Sequence, residues 1–147
     1  MEEQFTDKTP EPGKVIRPVN LTILCILTFI GSGLSLLSSV FVLMAFDIIP
    51  EAARLSPMPG AEEMVQLVLK AGRLFFAVMG VLYFFSLAGA IFMWKLRKNG
   101  FHIYTISQLL MLAVPLLMIQ GYQIPLASAL LTASFVLAYG LNLKFMR

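Results

Sequence analysis

The side chains whose spacing could support chemistry in this chain are hydroxyls and amides, not ionisable groups. Thr28, Gly31, Ser32, Ser35, Ser38 and Ser39 fall within about 120° of arc at 100° per residue, with aliphatic and aromatic side chains around the rest. Ser128, Thr132, Tyr139 and Asn142 form a smaller stripe. Tyr104, Thr105 and Gln108 share one side of another segment, followed by Pro115, whose ring should kink a helix and free the carbonyl of Met111. Inside hydrocarbon such groups must bond one another, because lipid cannot satisfy them. Stripes that converge on one interior serve one of two ends: packing between helices, or the lining of a narrow polar pathway or ligand pocket.

Catalysis finds little else to use. His102 is the sole histidine and Cys25 the sole cysteine, and the eight acids (Glu2, Glu3, Asp7, Glu11, Asp47, Glu51, Glu62, Glu63) all precede residue 64. A Ser-His-Asp set needs acid and imidazole on one side, whereas the acids beyond the tail and His102 fall at opposite ends of the apolar runs. Metal ligation lacks a Cys or His partner. Gly31-Ser32-Gly33 sits inside an apolar run, where it means packing and not a phosphate cradle. Proton and ion pathways place ionisable groups within the bilayer; His102, near the end of its run, reads as an interfacial side chain, with a proton-responsive role as the rival. Cys25 reads as a small buried apolar residue. The expectation is a non-enzymatic protein with no cofactor and no metal. The excess of three positive charges belongs to the second half of the chain and makes no basic nucleic-acid surface.

The elements that must position these groups follow from hydropathy. The 147 residues are 59% hydrophobic and 13% charged, well away from a soluble domain. Four runs, 19–46, 74–94, 99–119 and 124–143, contain no Asp, Glu, Lys or Arg. A hydrocarbon core of roughly 30 Å takes about 20 helical residues, so each run can span it. The expected fold is all-α: a four-helix transmembrane bundle with a short amphipathic helix in the outer loop, and its first partner is the lipid bilayer. Residues 1–18 carry charge and three prolines without apolar period, and are expected to form a disordered cytoplasmic tail before a membrane domain over 19–147. The first run starts too late and extends too far for a secretory leader, and reads as a retained anchor. The second helix looks the most lipid-like, with Ser86 its only small hydroxyl. Gln108 lies roughly 12 Å from Gly100 at 1.5 Å per residue, a depth at which it could bond Thr28 or Thr132.

Orientation follows from the cations, since positive loops stay cytoplasmic. Lys8, Lys14, Arg17, Lys95, Arg97, Lys98, Lys144 and Arg147 fall on one side; only Arg54, Lys70 and Arg73 fall on the other, beside four acids. Both termini are therefore expected inside, and Trp94-Lys95-Leu96-Arg97-Lys98-Asn99-Gly100 should form an inner hairpin with an Asn-Gly turn. Prolines and Gly60 should break the first half of the outer loop, 47–73. Over 61–72, Met64, Leu67, Val68 and Ala71 share a face opposite Glu62, Glu63, Gln66, Lys70 and Arg73. This helix either lies on the interface or extends the second span outward, as a lid on the bundle or as a docking surface for a partner.

Arg17-Pro18-Val19-Asn20-Leu21-Thr22 leading into Leu24–Gly33, the hairpin Met93–Phe101 and the ending Leu141–Arg147 resemble a group of small uncharacterised four-helix bacterial inner-membrane proteins. The resemblance implies a bacterial inner-membrane setting and assigns no catalytic residue. Together these readings lead to an accessory or interaction protein, with a membrane-protein partner or a homo-oligomer as its setting; a passive channel or small transporter with a serine-lined interior is the alternative.

Overall fold

A computed structural model describes residues 18–55 and 59–146, so the tail expected over 1–18 lies, apart from Pro18, outside the described residues. Five helices follow in order: α1 (Val19–Ala45), α2 (Ile49–Arg54), α3 (Ala61–Trp94), α4 (Asn99–Met118) and α5 (Leu126–Leu141), the last continued by a 3-10 turn over Leu143–Phe145. Four of these segments are long and apolar enough to cross a membrane. The chain is an all-α four-helix transmembrane bundle. No more than 33% of any span is buried within the protein, so most of the apolar surface, Leu34, Leu37, Phe41, Phe84 and Leu117 among it, is left for lipid.

One end of the bundle, the basic end, carries Lys95, Arg97, Lys98 and Lys144; the other, the loop end, carries α2 and the Gly121 turn. Buried positions on α1 (Leu21, Cys25, Thr28, Ser32, Ser39) recur at helical spacing and form one seam. On α3 the matching seam is Met79, Leu82, Ser86, Gly89 and Met93. α3 packs along both α1 and α4, while α5 touches α4 and α1 far less. The expectation that the second span is the most lipid-like is therefore corrected: α3 is the central helix, and its few small residues are the contact points. At the basic end α3 and α4 nearly touch backbones, for a Cβ on Gly89 would stand 2.8 Å from the Tyr104 nitrogen and 2.9 Å from the Gly100 oxygen. Gly31 and Gly33 face nothing within 4 Å, so close packing does not use the Gly-Ser-Gly motif.

The hairpin turn also differs from expectation. It closes at Lys95–Lys98, with Leu96 in the left-handed region at φ 59, and Asn99-Gly100 already begin α4. The Arg97 amide donates to the Phe92 carbonyl and the Leu96 amide to that of Met93, a Schellman closure that normally uses glycine. Leucine is held there because its side chain packs on the core of Leu21, Cys25, Ala90, Met93, Tyr104, Tyr139 and Met146. Gly100 is needed instead where no side chain fits.

At the loop end, Pro50 does not break the chain but sits in the first turn of α2, a position that spares its missing N–H. The amphipathic segment runs into the second span with no loop between them, and the only departure from helical geometry is Gly72 (φ 80, ψ 160). Arg73 then donates to Asp47 at 2.7 Å and lies 5.4 Å over the Phe46 ring, tying the end of α1 to α3 just past that break. Pro125 precedes α5 as its cap, its carbonyl accepting from Ser128 and Ala129. α4 continues past Pro115 to Met118.

Candidate functional site

Polar side chains inside the bundle are bonded in a short ladder. Ser32 and Ser86 hydroxyls are 3.0 Å apart across α1 and α3, and the Gln108 amide donates to the Ser86 oxygen at 3.3 Å. Gln108 thus bonds α3, not the threonines expected from its depth. Ser86, which is fully buried, is the node that sequence reasoning passed over. As the only serine or threonine of α3 it was itself the available signal, since a polar group in hydrocarbon has to find a partner.

Nearer the basic end, Thr28 and Tyr139 hydroxyls lie 2.8 Å apart, joining α1 to α5. The Tyr139 ring meets Tyr104 edge-on with centroids 4.9 Å apart, a geometry worth about 0.5–1.5 kcal/mol beyond area burial. Around this pair Leu21, Cys25 and Met93 are all fully buried. Hydroxyl, rings and aliphatic groups together close the interior towards the basic end. The Asn142 side chain donates to the Ala138 carbonyl of its own helix and bonds no other helix among the described residues.

Towards the loop end there is open space between the helices. A cavity of about 680 Å³ lies between α1, α3, α4 and the start of α5, bounded by Ser35, Ser38 and Ser39 on α1, Phe75, Phe76, Met79 and Tyr83 on α3, and Gln108 and Met111 on α4. Ser128 and Thr132 on α5 and Tyr122 in the turn complete it. A second space of about 230 Å³ continues it past Ser35, Tyr83, Gln108 and Thr132 to Thr28, Gly31, Ser32 and Tyr104. Thr28, at its basic end, is the hydroxyl bonded to Tyr139. Neither lining contains a charged side chain, and none of its residues comes from 49–71. The segment expected as a lid does not cover this cavity; its Met64 and Leu67 are instead 70% and 66% exposed.

No family model, curated protein or solved structure matches this chain. Its chemistry is therefore read from the cavity alone. Of the residues singled out in the sequence, Thr28, Gly31, Ser32, Ser35, Ser38, Ser39, Gln108, Ser128 and Thr132 border one or both spaces, whereas Tyr139, though bonded to Thr28, and Asn142 border neither. Ser128 and Ser38 are exposed at the wide part, while Ser32 and Ser39 are buried. Tyr83, which sequence reasoning missed, lies close enough to interact with Ser35, and Tyr104, singled out beside Gln108 in the sequence, lies close to Thr28 and Gln108. An uncharged wall of hydroxyls and amides can orient a neutral molecule by hydrogen bonds. It offers no nucleophile–base pair.

Proposed function

We propose that this chain is a non-enzymatic accessory protein of a bacterial inner membrane, with both ends cytoplasmic, that holds a second molecule within the bilayer. One observation carries the reading: the hydroxyl-lined walls lie in the loop-end half and reach no nearer the basic end than Thr28 and Tyr104, beyond which Leu21, Cys25, Met93 and Tyr139 are fully buried. A blind, uncharged cavity suits retention and not passage. The cation distribution supports the cytoplasmic placing of the basic end, and the resemblance of the hairpin and flanking motifs supports the bacterial setting. The molecule held is lipid-borne or a neighbouring protein, a second copy included.

A passive channel or small transporter is the second reading, favoured by the continuity of the two spaces through Ser35, Tyr83, Gln108 and Thr132. It requires the Thr28–Tyr139 contact to part. Purified protein in liposomes separates the two: permeability to glycerol, potassium and protons equal to that of empty vesicles is expected, with a molecule co-purifying in mild detergent. Flux above empty vesicles would replace the first reading by the second.

A further inference from the structure

We propose that the loop-end cavity binds a neutral amphiphile drawn from the bilayer, a molecule with an uncharged hydroxyl- or carbonyl-bearing head and a hydrocarbon tail. The inference rests on the reading that the cavity retains a molecule, and adds which chemistry it takes.

The head must be uncharged. A charged group at the depth of Ser35 and Gln108 would leave water with no counter-ion, since no Asp, Glu, Lys or Arg lines either space, and burial of an unpaired charge is prohibitive. The head must also exchange hydrogen bonds. Ser39 is only 5% exposed, borders the cavity, and its hydroxyl bonds none of the described residues. Ser38 and Thr132 border the same space and are likewise unengaged by other side chains. These hydroxyls contrast with Ser107 and Ser134, which are satisfied by carbonyls of their own helices at 2.8 and 2.7 Å. Hydrocarbon alone would leave the cavity hydroxyls unsatisfied.

The rest of the molecule must be apolar. Phe75, Phe76, Met79, Met111 and Leu112 make up the facing walls, and methionine and aromatic side chains accommodate flexible chains of varied shape. The volume, about 680 Å³, falls within the range of roughly 300–1,000 Å³ usual for small-molecule sites. Beside the cavity, Leu126, Leu130 and Leu131 of α5 are exposed to lipid, which places the source of the ligand at the cavity's edge.

The test is photolabelling of the full chain in phosphatidylcholine vesicles with a diazirine-bearing monoacylglycerol, read by mass spectrometry. Labelling should concentrate on Met79, Met111 and Phe76. Excess monoolein should suppress it, whereas equal amounts of hexadecane, which lacks a head, and of hexadecyl sulfate, which is permanently charged, should not. Ser38→Phe, which fills the cavity, should abolish the specific label. Ser39→Ala should weaken monoolein competition about fivefold, the loss of one neutral hydrogen bond. Should Ser38→Phe fail to fold, Thr132→Phe fills the same space from α5. Labelling spread over lipid-facing Leu37 and Phe84, or equal competition by hexadecyl sulfate, overturns the proposal. If vesicles stay tight while labelling is unspecific, the ligand class alone is wrong; if specific labelling accompanies solute flux, the retention reading is wrong and the site stands.

Discussion

Adding one methyl group at Gly89 should loosen the bundle, because the space is taken by backbone. An alanine Cβ there would meet the Tyr104 nitrogen at 2.8 Å, the Gly100 oxygen at 2.9 Å and the Tyr104 Cβ at 3.0 Å. None of these is the free end of a side chain, so α3 and α4 must move apart, at the place where the Lys95–Lys98 turn holds them. Overpacking of this kind costs about 1–3 kcal/mol, and the better helix propensity of alanine returns about 0.5–1 kcal/mol. The net loss is therefore on the order of 1–2 kcal/mol. Gly100→Ala should lose more, since its Cβ would meet Gly89 oxygen at 2.5 Å and Met93 nitrogen at 2.6 Å, and a first-turn residue gains less propensity. Gly31→Ala and Gly33→Ala, facing nothing within 4 Å, should be neutral or stabilising by up to about 1 kcal/mol. Reversible unfolding in mixed micelles, followed by circular dichroism as denaturing detergent is titrated, gives all four values. Wild-type stability in both Gly89→Ala and Gly100→Ala, or a comparable loss in Gly31→Ala, would refute this packing.

Ser86→Ala removes the acceptor of Gln108 and the partner of Ser32 together; at about 0.6 kcal/mol per interhelical bond it should cost on the order of 1 kcal/mol. Tyr139→Phe, which loses the Thr28 bond, should cost about half as much in the same titration, and Ser134→Ala, whose hydroxyl serves its own helix, should change nothing measurable. In a Cys25→Ala background, cysteine at Glu62 should react with an impermeant maleimide on intact cells and cysteine at Asn99 should not; the opposite pattern would invert the orientation drawn from the cations.

Span number, span limits and the basic hairpin were legible because uninterrupted apolar runs and clustered lysines are composition-level signals. Val19–Ala45 and Asn99–Met118 match the runs read at 19–46 and 99–119 within a residue. Which helix lies at the centre was not legible. Hydropathy says how well a residue suits lipid, but Ser86, Gly89 and Gly100 are decided by what another helix presents to them, and small residues look alike in sequence whether they face a backbone, as Gly89 does, or nothing, as Gly31 does. The same gap explains Gln108. Depth along the helix limited its partners to one layer of the bundle, and Ser86 is in that layer, but choosing among Thr28, Thr132 and Ser86 required the order of helices around the axis. Nor could a pattern of stripes reveal that α5 packs far less closely than the other spans, which leaves Ser128 exposed beside the cavity.

Cysteine accessibility along the cavity tests the blind-cavity account most directly. With Cys25 replaced by alanine and the protein oriented in sealed vesicles, single cysteines at Ser38, Thr132, Ser32 and Leu21 would be challenged with a small charged thiol reagent from each side in turn. Reaction at Ser38 and Thr132 from the loop side, slower reaction at Ser32 from that side, and none at any position from the basic side is the result a sealed floor requires. Reaction of Ser32 or Leu21 from the basic side at a rate comparable to Ser38 from the loop side would mean a continuous path through the Thr28–Tyr139 contact and would contradict it.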